Sequence, residues 1–255
     1  MKYMRFLRND TVIEAITDGI GYVKEIRGDI FGEYELTGWQ IPLEEVGRYL
    51  VPVYPSKIIG LGLNYRAHAK ESGVPVPEEP LFFIKPPSSL AAHREDIIYP
   101  SHMSSRVDYE AELAVVIGKV IRNITPEEAR EGIFGYSCFN DVTARDLQQK
   151  DVQWTRAKSF DTFGPFGPWI EMDIDPSNLG VAMIHNERVV QNGLTSDMIF
   201  DIPCIVSYLS RIMTLNPGDI IATGTPSGIG PVEDGDILKV RIQGIGELEN
   251  RVKRS

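Results

Sequence analysis

The segment Asp108-Tyr109-Glu110-Ala111-Glu112-Leu113-Ala114-Val115-Val116-Ile117-Gly118 decides the fold, because it joins a long apolar run to two closely spaced carboxylates. In a β-strand, residues two apart share a face, so Glu110 and Glu112 lie on the same side as Ala114 and Val116. Ala111, Leu113, Val115 and Ile117 occupy the opposite side. Both faces are therefore apolar beyond the carboxylates, which predicts a strand buried on both sides.

Two carboxylates that enter a buried face need cations or a bound metal ion to offset the loss of their hydration. A strand end that emerges into solvent is the alternative, and the Glu-x-Glu spacing then has no functional meaning. A third carboxylate, Asp141, follows the apolar run 133–139 and favours the first interpretation. Three carboxylates offer the oxygen ligands that Mg²⁺ or Mn²⁺ prefers, although an Asx turn or a helix N-cap would also explain Asp141.

Short apolar runs separated by glycine, proline and aspartate recur along the chain, and they predict a fold dominated by strands. The two prolines in Val51-Pro52-Val53-Tyr54-Pro55 indicate a boundary. We expect a small N-terminal β domain over residues 1–55 and a larger catalytic domain over residues 56–255. Strands and helices do not alternate regularly, so the predicted class is α+β, mainly β, rather than a TIM barrel or a doubly wound sheet.

The larger domain contains eight strand candidates and two clear helix candidates. The strand candidates are Lys57–Leu63, Leu81–Lys85, Glu110–Ile117, Ile133–Asn140, Trp169–Met172, Gly180–His185, Asp219–Thr223 and Ile237–Ile242. One helix is predicted to start at Thr125-Pro126-Glu127-Glu128, which is typical of a capping box, and a second is predicted over Pro203–Met213.

The composition argues against several classes of function and several cellular locations. Thirty-six acidic residues against 26 basic ones give a net charge of −10, which opposes binding to nucleic acid. No apolar run approaches the length of a membrane span, and the N-terminus lacks the apolar stretch of a secretory signal. Cys138 and Cys204 lie in apolar segments, as expected of reduced thiols. We therefore expect a cytoplasmic protein without a nucleic-acid or membrane partner.

His68 and Glu71 would lie side by side if their segment is helical, because residues three apart are neighbours on a helix. A carboxylate beside an imidazole raises its basicity for general-base catalysis, whereas the same pair on a solvated helix face would have no function. Lys158 and the glycine-rich turn that contains Gly224 and Thr225 look ligand-facing. This turn lacks the lysine of a nucleotide P-loop, so a carboxylate suits it better than a triphosphate.

Six motifs resemble those of the fumarylacetoacetate hydrolase family, in the family's order, from about residue 56 to residue 250. They are Gly62-x-Asn64-Tyr65-x-x-His68, Phe83-Ile84-Lys85-Pro86, Asp108-Tyr109-Glu110-x-Glu112-Leu113, Asn140-Asp141-Val142-Thr143-x-Arg145-Asp146, Lys158-Ser159-Phe160-Asp161 and Thr223-Gly224-Thr225-Pro226. The resemblance implies a mixed β-roll and a homodimer. It also implies a divalent metal held by Glu110, Glu112 and Asp141.

The resemblance further implies roles for other side chains. It places a catalytic His68–Glu71 pair in a segment that can act as a lid, and it makes Lys158 a catalytic lysine that faces the substrate. We expect further substrate contacts from a set of residues in the same motifs. These residues are Asn64, Tyr65, Lys85, Arg145, Gly224 and Thr225.

The N-terminal part is much shorter than that of the eukaryotic hydrolase that names the family, so the chain looks more like the family's small branch. That branch includes acylpyruvate hydrolases, oxaloacetate decarboxylases and 2-hydroxyhepta-2,4-diene-1,7-dioate isomerases, which share a metal-bound enolate of a 2-oxo acid. We expect a Mg²⁺- or Mn²⁺-dependent enzyme that hydrolyses acylpyruvates or decarboxylates oxaloacetate, with the isomerase as an alternative. A non-catalytic module that binds metal or a small acid is the alternative of another class, but it gives His68 beside Glu71 no role.

Overall fold

The computed structural model describes residues 1–255 and consists mainly of strands. The first ten strands are β1 (Lys2–Arg8), β2 (Thr11–Thr17), β3 (Tyr22–Gly28), β4 (Tyr34–Pro42), β5 (Arg48–Leu50), β6 (Ile58–Gly62), β7 (Leu81–Lys85), β8 (Leu90–Ala91), β9 (Asp96–Tyr99) and β10 (Val107–Tyr109). The other ten are β11 (Ala111–Ile117), β12 (Ile133–Asn140), β13 (Thr143–Ala144), β14 (Gly164–Glu171), β15 (Gly180–His185), β16 (Arg188–Leu194), β17 (Ile220–Ala222), β18 (Gly230–Pro231), β19 (Ile237–Ile242) and β20 (Gly246–Arg254).

Helices are few and short. The α-helices are α1 (Arg66–Glu71), α2 (Pro126–Gly132), α3 (Arg145–Lys150), α4 (Thr155–Lys158) and α5 (Ile202–Ile212), and 3₁₀ turns span Leu43–Glu45, Pro87–Ser89, Pro176–Asn178 and Thr195–Asp197. None of the helices has both the length and the apolar character needed to cross a membrane.

The strands form three sheets. Twelve strands make the largest sheet, in the order β4-β3-β2-β1-β14-β12-β11-β17-β6-β7, with β5 paired to β1 and β8 paired to β14. A five-stranded sheet has the order β16-β15-β19-β20-β9, and a three-stranded sheet has the order β13-β10-β18. Most neighbours are antiparallel; the β6–β17, β8–β14 and β9–β20 pairs are parallel. The predicted α+β, mainly β class is confirmed.

Strand β11 lies at the centre of the large sheet, between β12 and β17, and every one of its residues is buried. Ala114 and Val116 belong to one core cluster, whereas Leu113 and Val115 belong to a larger cluster that includes side chains of the five-stranded sheet. The predicted burial on both faces is therefore confirmed. This burial keeps water from both sides of the strand beyond Glu112.

The N-terminal strands extend the large sheet, because β1 pairs with β14. The Lys2 ammonium lies 2.5 Å from Glu171 Oε2, and the N-terminal amino group lies 2.7 Å from Glu171 Oε1. The same strands also enclose a small core cluster of their own that includes Met4 and Phe6. The division of the chain near residue 55 stays a prediction, since strands from both parts share one sheet.

Several elements differ from the sequence-based expectations. Strand β14 begins five residues before the expected Trp169, although its first half is rich in glycine and proline. Strand β20 consists largely of charged residues, and only alternate side chains such as Leu248 and Val252 are buried. The two predicted helices are confirmed as α2 and α5, and the Thr125 amide donates to the Glu128 carboxylate as a capping box requires.

The buried Asp219 carboxylate joins the start of β6 to the turn before β17. Its Oδ1 accepts hydrogen bonds from the amide of Ser56 at 3.0 Å, the hydroxyl of Ser56 at 2.6 Å and the amide of Lys57 at 3.2 Å. Its Oδ2 accepts from the Asn216 amide at 2.8 Å and pairs with the Lys57 ammonium. One side chain thus fixes the parallel pairing of β6 with β17.

We expect Asp219→Ala to lower the free energy of unfolding by about 3 kcal/mol, because it leaves several buried donors without an acceptor. Urea denaturation of wild type and variant measures the difference. Asp96→Ala is the control, since Asp96 is 42% exposed and lies 3.9 Å from Lys253, and it should cost less than about 1 kcal/mol. Equal losses in the two variants would contradict this role of Asp219.

Candidate functional site

Three carboxylates converge where β10 and β11 meet the end of β12. The ligand atoms of Glu110, Glu112 and Asp141 lie within 4.8 Å of one another, and all three side chains are buried. The antiparallel pairing of β11 with β12 sets Ala111 opposite Asn140, and the Asp141 amide donates to the Glu110 carbonyl at 2.9 Å. The sheet register therefore builds this group, called the carboxylate triad below.

Two members of the carboxylate triad have buried cationic partners. The Lys158 ammonium lies 2.9 Å from Glu110 Oε2 and 2.5 Å from Asp141 Oδ2, and the Lys85 ammonium lies 2.6 Å from Asp141 Oδ1. The Arg145 Nη2 lies 2.5 Å from Glu110 Oε1. Burial alone would raise the pKa of Glu110, but Lys158 and Arg145 outweigh it and hold that pKa below its usual range.

Glu112, in contrast, pairs with no cation. Its carboxylate accepts one hydrogen bond, from the Gly224 amide at 2.8 Å. Burial, together with the charges of Asp141 and Glu110, raises the pKa of Glu112 well above its usual value. Gly224 has φ +97°, and a Cβ at this position would come within 2.8 Å of the Asn64 Cβ, so a glycine is needed for the amide to approach.

The residues of the carboxylate triad fit a divalent cation. Hard cations such as Mg²⁺ and Mn²⁺ take oxygen ligands, and three carboxylates in mutual reach supply them. The Glu112 carboxylate is the member whose charge is not balanced by the protein. A cation between these oxygens would remove the mutual repulsion that raises the pKa of Glu112.

A cavity of about 600 Å³ opens beside Glu110 and Glu112. His68, Arg145 and Lys158 are part of its wall, and Lys158 is only 2% exposed. Another part of the wall is apolar: it consists of Leu61, Leu63, Val74, Leu81, Phe83, Trp154 and Ile229. The Lys158 ammonium lies 4.9 Å from the centroid of the Phe83 ring, so this lysine also lies against the apolar wall.

The His68–Glu71 pair lies on α1, as the three-residue spacing predicted. His68 Nδ1 is 3.2 Å from Glu71 Oε2, and both side chains line the cavity. Glu71 also accepts a hydrogen bond from the Gly228 amide at 3.0 Å. The carboxylate therefore orients the imidazole and ties the short helix to the glycine-rich loop.

Of the six predicted substrate contacts, Arg145 and Thr225 line the cavity. The other four are not part of its wall. The Asn64 amide group donates to the carbonyls of Phe200 and Thr223, and Lys85 is fully buried against Asp141. Asn64, Tyr65, Lys85 and Gly224 are buried and are not part of the cavity wall, so their substrate contacts stay predictions.

Tyr65 has a buried hydroxyl group without a hydrogen-bond partner. The ring is 1% exposed, and burial raises the pKa of Tyr65, with further contributions from the negative charges of Glu112 and Asp197. The hydroxyl therefore stays protonated and lies in the field of the carboxylate triad.

Several residues of the cavity wall were not predicted. They are Arg106, Asp108, Gln148, Gln149 and Trp154, among others. Asp108 could have been found, since it continues the two-residue alternation of Glu110 and Glu112. Gln148 could have been predicted to lie at the cavity only if helix α3 had been predicted. On this helix it follows Arg145 by three positions, and its side-chain oxygen accepts a hydrogen bond from Arg145 Nη1 at 2.5 Å.

This chain belongs to the fumarylacetoacetate hydrolase family. Residues 57–253 match the model of the fumarylacetoacetate (FAA) hydrolase C-terminal domain, and residues 1–52 match a model described as Rv2993c-like, N-terminal. The predicted family membership is thereby confirmed. Members of this family are enzymes, among them isomerases, decarboxylases and hydrolases.

Three relatives illustrate the range of the family. An uncharacterized protein of Archaeoglobus fulgidus is 55% identical over 246 residues, which cover 96% of this chain and 94% of the relative. The oxaloacetate tautomerase of Bacillus subtilis is 38% identical over 266 residues, covering 95% of this chain and 86% of the relative. The chain is also 42% identical in sequence to 5-carboxymethyl-2-hydroxymuconate delta-isomerase from Mycobacterium smegmatis. The crystal structure of that protein matches this structure with a TM-score of 0.93 over 100% of both chains.

We expect Glu112→Gln to weaken the binding of Mn²⁺ at least tenfold, because it removes the carboxylate charge that no protein cation balances while keeping the shape of the side chain. Calorimetric titration of the metal-free protein measures the affinity. Glu247→Gln serves as the control, since Glu247 is 41% exposed and pairs with Arg241 on the surface. An unchanged affinity in Glu112→Gln would remove Glu112 from the metal site.

Proposed function

We propose that this protein is a divalent-metal-dependent enzyme that acts on small 2-oxo acids through their enolates, by hydrolysing acylpyruvates or decarboxylating oxaloacetate. One observation carries the proposal: a single cavity is lined both by carboxylates of the triad and by an imidazole that a carboxylate orients. The non-catalytic alternative accounts for the carboxylate triad alone. It leaves the His68–Glu71 pair at the same cavity unexplained.

The carboxylate triad would hold Mg²⁺ or Mn²⁺, and such an ion supplies positive charge to the carboxylate and keto oxygens of a bound 2-oxo acid. The protein adds charge of its own. Lys158 is buried at the same place, and its ammonium group can stabilise the negative charge that develops on the keto oxygen as the enolate forms. Because the whole chain carries a net charge of −10, local cations rather than the overall field must attract an anionic substrate.

The His68–Glu71 pair provides the proton transfer. With Nδ1 held by Glu71, Nε2 is the nitrogen left to exchange a proton. In the hydrolysis of an acylpyruvate, His68 takes a proton from water as the water attacks the distal carbonyl. The decarboxylation of oxaloacetate needs no such attack, and it requires only the later return of a proton to carbon.

Isomerisation or tautomerisation is a second candidate, supported by relatives named 5-carboxymethyl-2-hydroxymuconate delta-isomerase and oxaloacetate tautomerase. These reactions use the same enolate and move a proton between oxygen and carbon, which the His68–Glu71 pair also suits. They differ from hydrolysis in that no water enters the reaction. We further expect a homodimer in the cytoplasm, and sedimentation equilibrium tests the dimer.

A turnover screen tests the proposal directly. Oxaloacetate, acetylpyruvate and fumarylpyruvate are each incubated with the protein, with and without Mg²⁺ or Mn²⁺. We expect metal-dependent turnover of at least one of them. Ultraviolet absorbance of the enol form follows its loss, and release of pyruvate separates carbon–carbon cleavage from tautomerisation. If none of the three is converted under any metal condition, the non-catalytic alternative is favoured.

We expect Lys158→Met to lower kcat more than it raises KM, because it removes a charge that acts on the developing enolate while keeping the length of the side chain. Steady-state kinetics on the best substrate of the screen measure both constants. A large rise in KM at constant kcat would instead make Lys158 a residue that binds the ground-state carboxylate.

We expect His68→Ala to lower acylpyruvate hydrolysis by about 10²–10⁴-fold, the usual contribution of a general base, and to leave a larger fraction of any decarboxylase activity. Both activities are measured on one preparation, with metal affinity as a check on the fold of the site. His102→Ala is the control, since His102 lies exposed in a turn. An equal loss in both reactions would mean that His68 positions the substrate instead of activating water.

A further inference from the structure

Three strongly basic side chains line the cavity, and the protein uses their donor groups to different extents. Lys158 binds Glu110 and Asp141. Arg145 distributes its nitrogens among three acceptors: Nε donates to Asp108 at 2.8 Å, Nη1 to Gln148 at 2.5 Å and Nη2 to Glu110 at 2.5 Å. Each nitrogen of Arg145 therefore has an acceptor within the protein, whereas the two ion pairs of Lys158 leave one of its three N–H donors for the substrate.

Arg106 differs from these two, because one edge of its guanidinium group is free. Its Nε lies 2.9 Å and its Nη2 3.2 Å from the two oxygens of the buried Asp108, while Nη1 has no acceptor in the protein. The Arg106 carbonyl accepts from the Arg145 amide at 2.8 Å, which fixes the backbone. The side chain is 51% exposed, so its free edge is open to a ligand.

We propose that Arg106 binds the distal carboxylate of the substrate, so that the enzyme prefers 2-oxo dicarboxylates to 2-oxo monocarboxylates of the same length. This inference rests on the proposed function, because it places the 2-oxo end of the substrate beside Glu110 and Glu112.

The difference in burial across the cavity supports this orientation. Glu110, Glu112 and Lys158 are at most 5% exposed and form its floor, whereas Arg106 is half exposed and belongs to its mouth. A molecule whose 2-oxo end lies on the floor extends its other end towards the mouth. The apolar wall around Phe83 and Trp154 offers no partner for a charge, and Arg106 is the cationic side chain of the cavity wall that is half exposed and has a free edge.

The pairing of Arg106 with Asp108 also favours a carboxylate as the ligand of Arg106. A guanidinium group binds a carboxylate through two parallel hydrogen bonds, and Asp108 already holds the Arg106 guanidinium in place. A side chain that is ordered before binding loses less conformational entropy when the ligand arrives. Asp108 is shared by Arg106 and Arg145, so these three side chains carry one net positive charge.

Equilibrium binding of two matched ligands tests the inference without turnover. 2-Oxoglutarate and 2-oxopentanoate have the same chain and the same 2-oxo acid end, and they differ only in a distal carboxylate or methyl group. Calorimetry with Mg²⁺ present should show that the wild type prefers 2-oxoglutarate. Arg106→Gln should weaken the binding of 2-oxoglutarate roughly 10- to 100-fold, as expected for the loss of hydrogen bonds to a charged group, and that of 2-oxopentanoate by less than about threefold.

Two further variants complete the comparison. Arg106→Lys keeps the charge and should retain part of the preference for 2-oxoglutarate. Arg241→Gln is the matched control and should leave both affinities unchanged, because Arg241 is 53% exposed and pairs with Glu247 outside the cavity. In turnover of oxaloacetate, Arg106→Gln should raise KM and leave kcat within about threefold.

The results of these experiments distinguish a failure of this inference from a failure of the proposed function. Equal losses of both ligands in Arg106→Gln would mean that Arg106 only supports Asp108, and would overturn the inference while the proposed function stands. An Arg106-dependent preference without turnover of any 2-oxo acid would overturn the proposed function alone. A wild type that binds neither ligand would overturn both.

Discussion

The balance of charge around four buried carboxyl groups is the constraint on which the rest of the structure depends. Asp108, Glu110, Glu112 and Asp141 are each at most 5% exposed, and an uncompensated charge at that depth costs several kcal/mol. Besides Arg106 next to Asp108, the cations that pair with them come from three separate elements. They are Lys85 at the end of β7, Arg145 at the start of α3 and Lys158 at the end of α4.

The arrangement of the strands and the balance of these charges depend on each other. Strand β11 is shielded by apolar side chains on both faces beyond Glu112, and Glu112 itself is only 1% exposed, so water hydrates its carboxylate poorly. The ion pairs therefore have to form inside the protein, which requires β7, β12 and both short helices to approach β11 together. Because Glu112 has only the Gly224 amide as a partner, the protein leaves one charge for a ligand to satisfy. Stability and metal binding thus depend on the same side chains.

The sequence predicted those features that depend on the residues of a single strand or helix. The alternation of Glu110, Glu112 and apolar residues predicted a strand buried on both sides, and the spacing of His68 and Glu71 predicted their contact on a helix. The sequence did not predict which groups the charged ends of long side chains contact. Lys85 follows Phe83 and Ile84 in a strand, and nothing in that run tells whether its ammonium group meets substrate or, as observed, Asp141. Likewise, nothing in the sequence before β10 tells that Arg106 lines the cavity.

The division of the cavity into a floor and a mouth explains why one family can carry several reactions. In the proposed function, enolate formation at a 2-oxo acid uses the floor: the carboxylate triad, Lys158 and the charges that hold them. Hydrolysis, decarboxylation and isomerisation diverge in what happens at the far end of the substrate, and that end meets different parts of the fold. The polar lining residues include Arg106 and the α3 glutamines Gln148 and Gln149, and the apolar lining residues include Phe83 and Trp154. Because the floor residues are tied into the charge balance of the core, changes there cost stability, whereas the half-exposed mouth can vary freely. Differences in substrate between members should therefore map to the mouth, while the enolate chemistry stays with the buried charges.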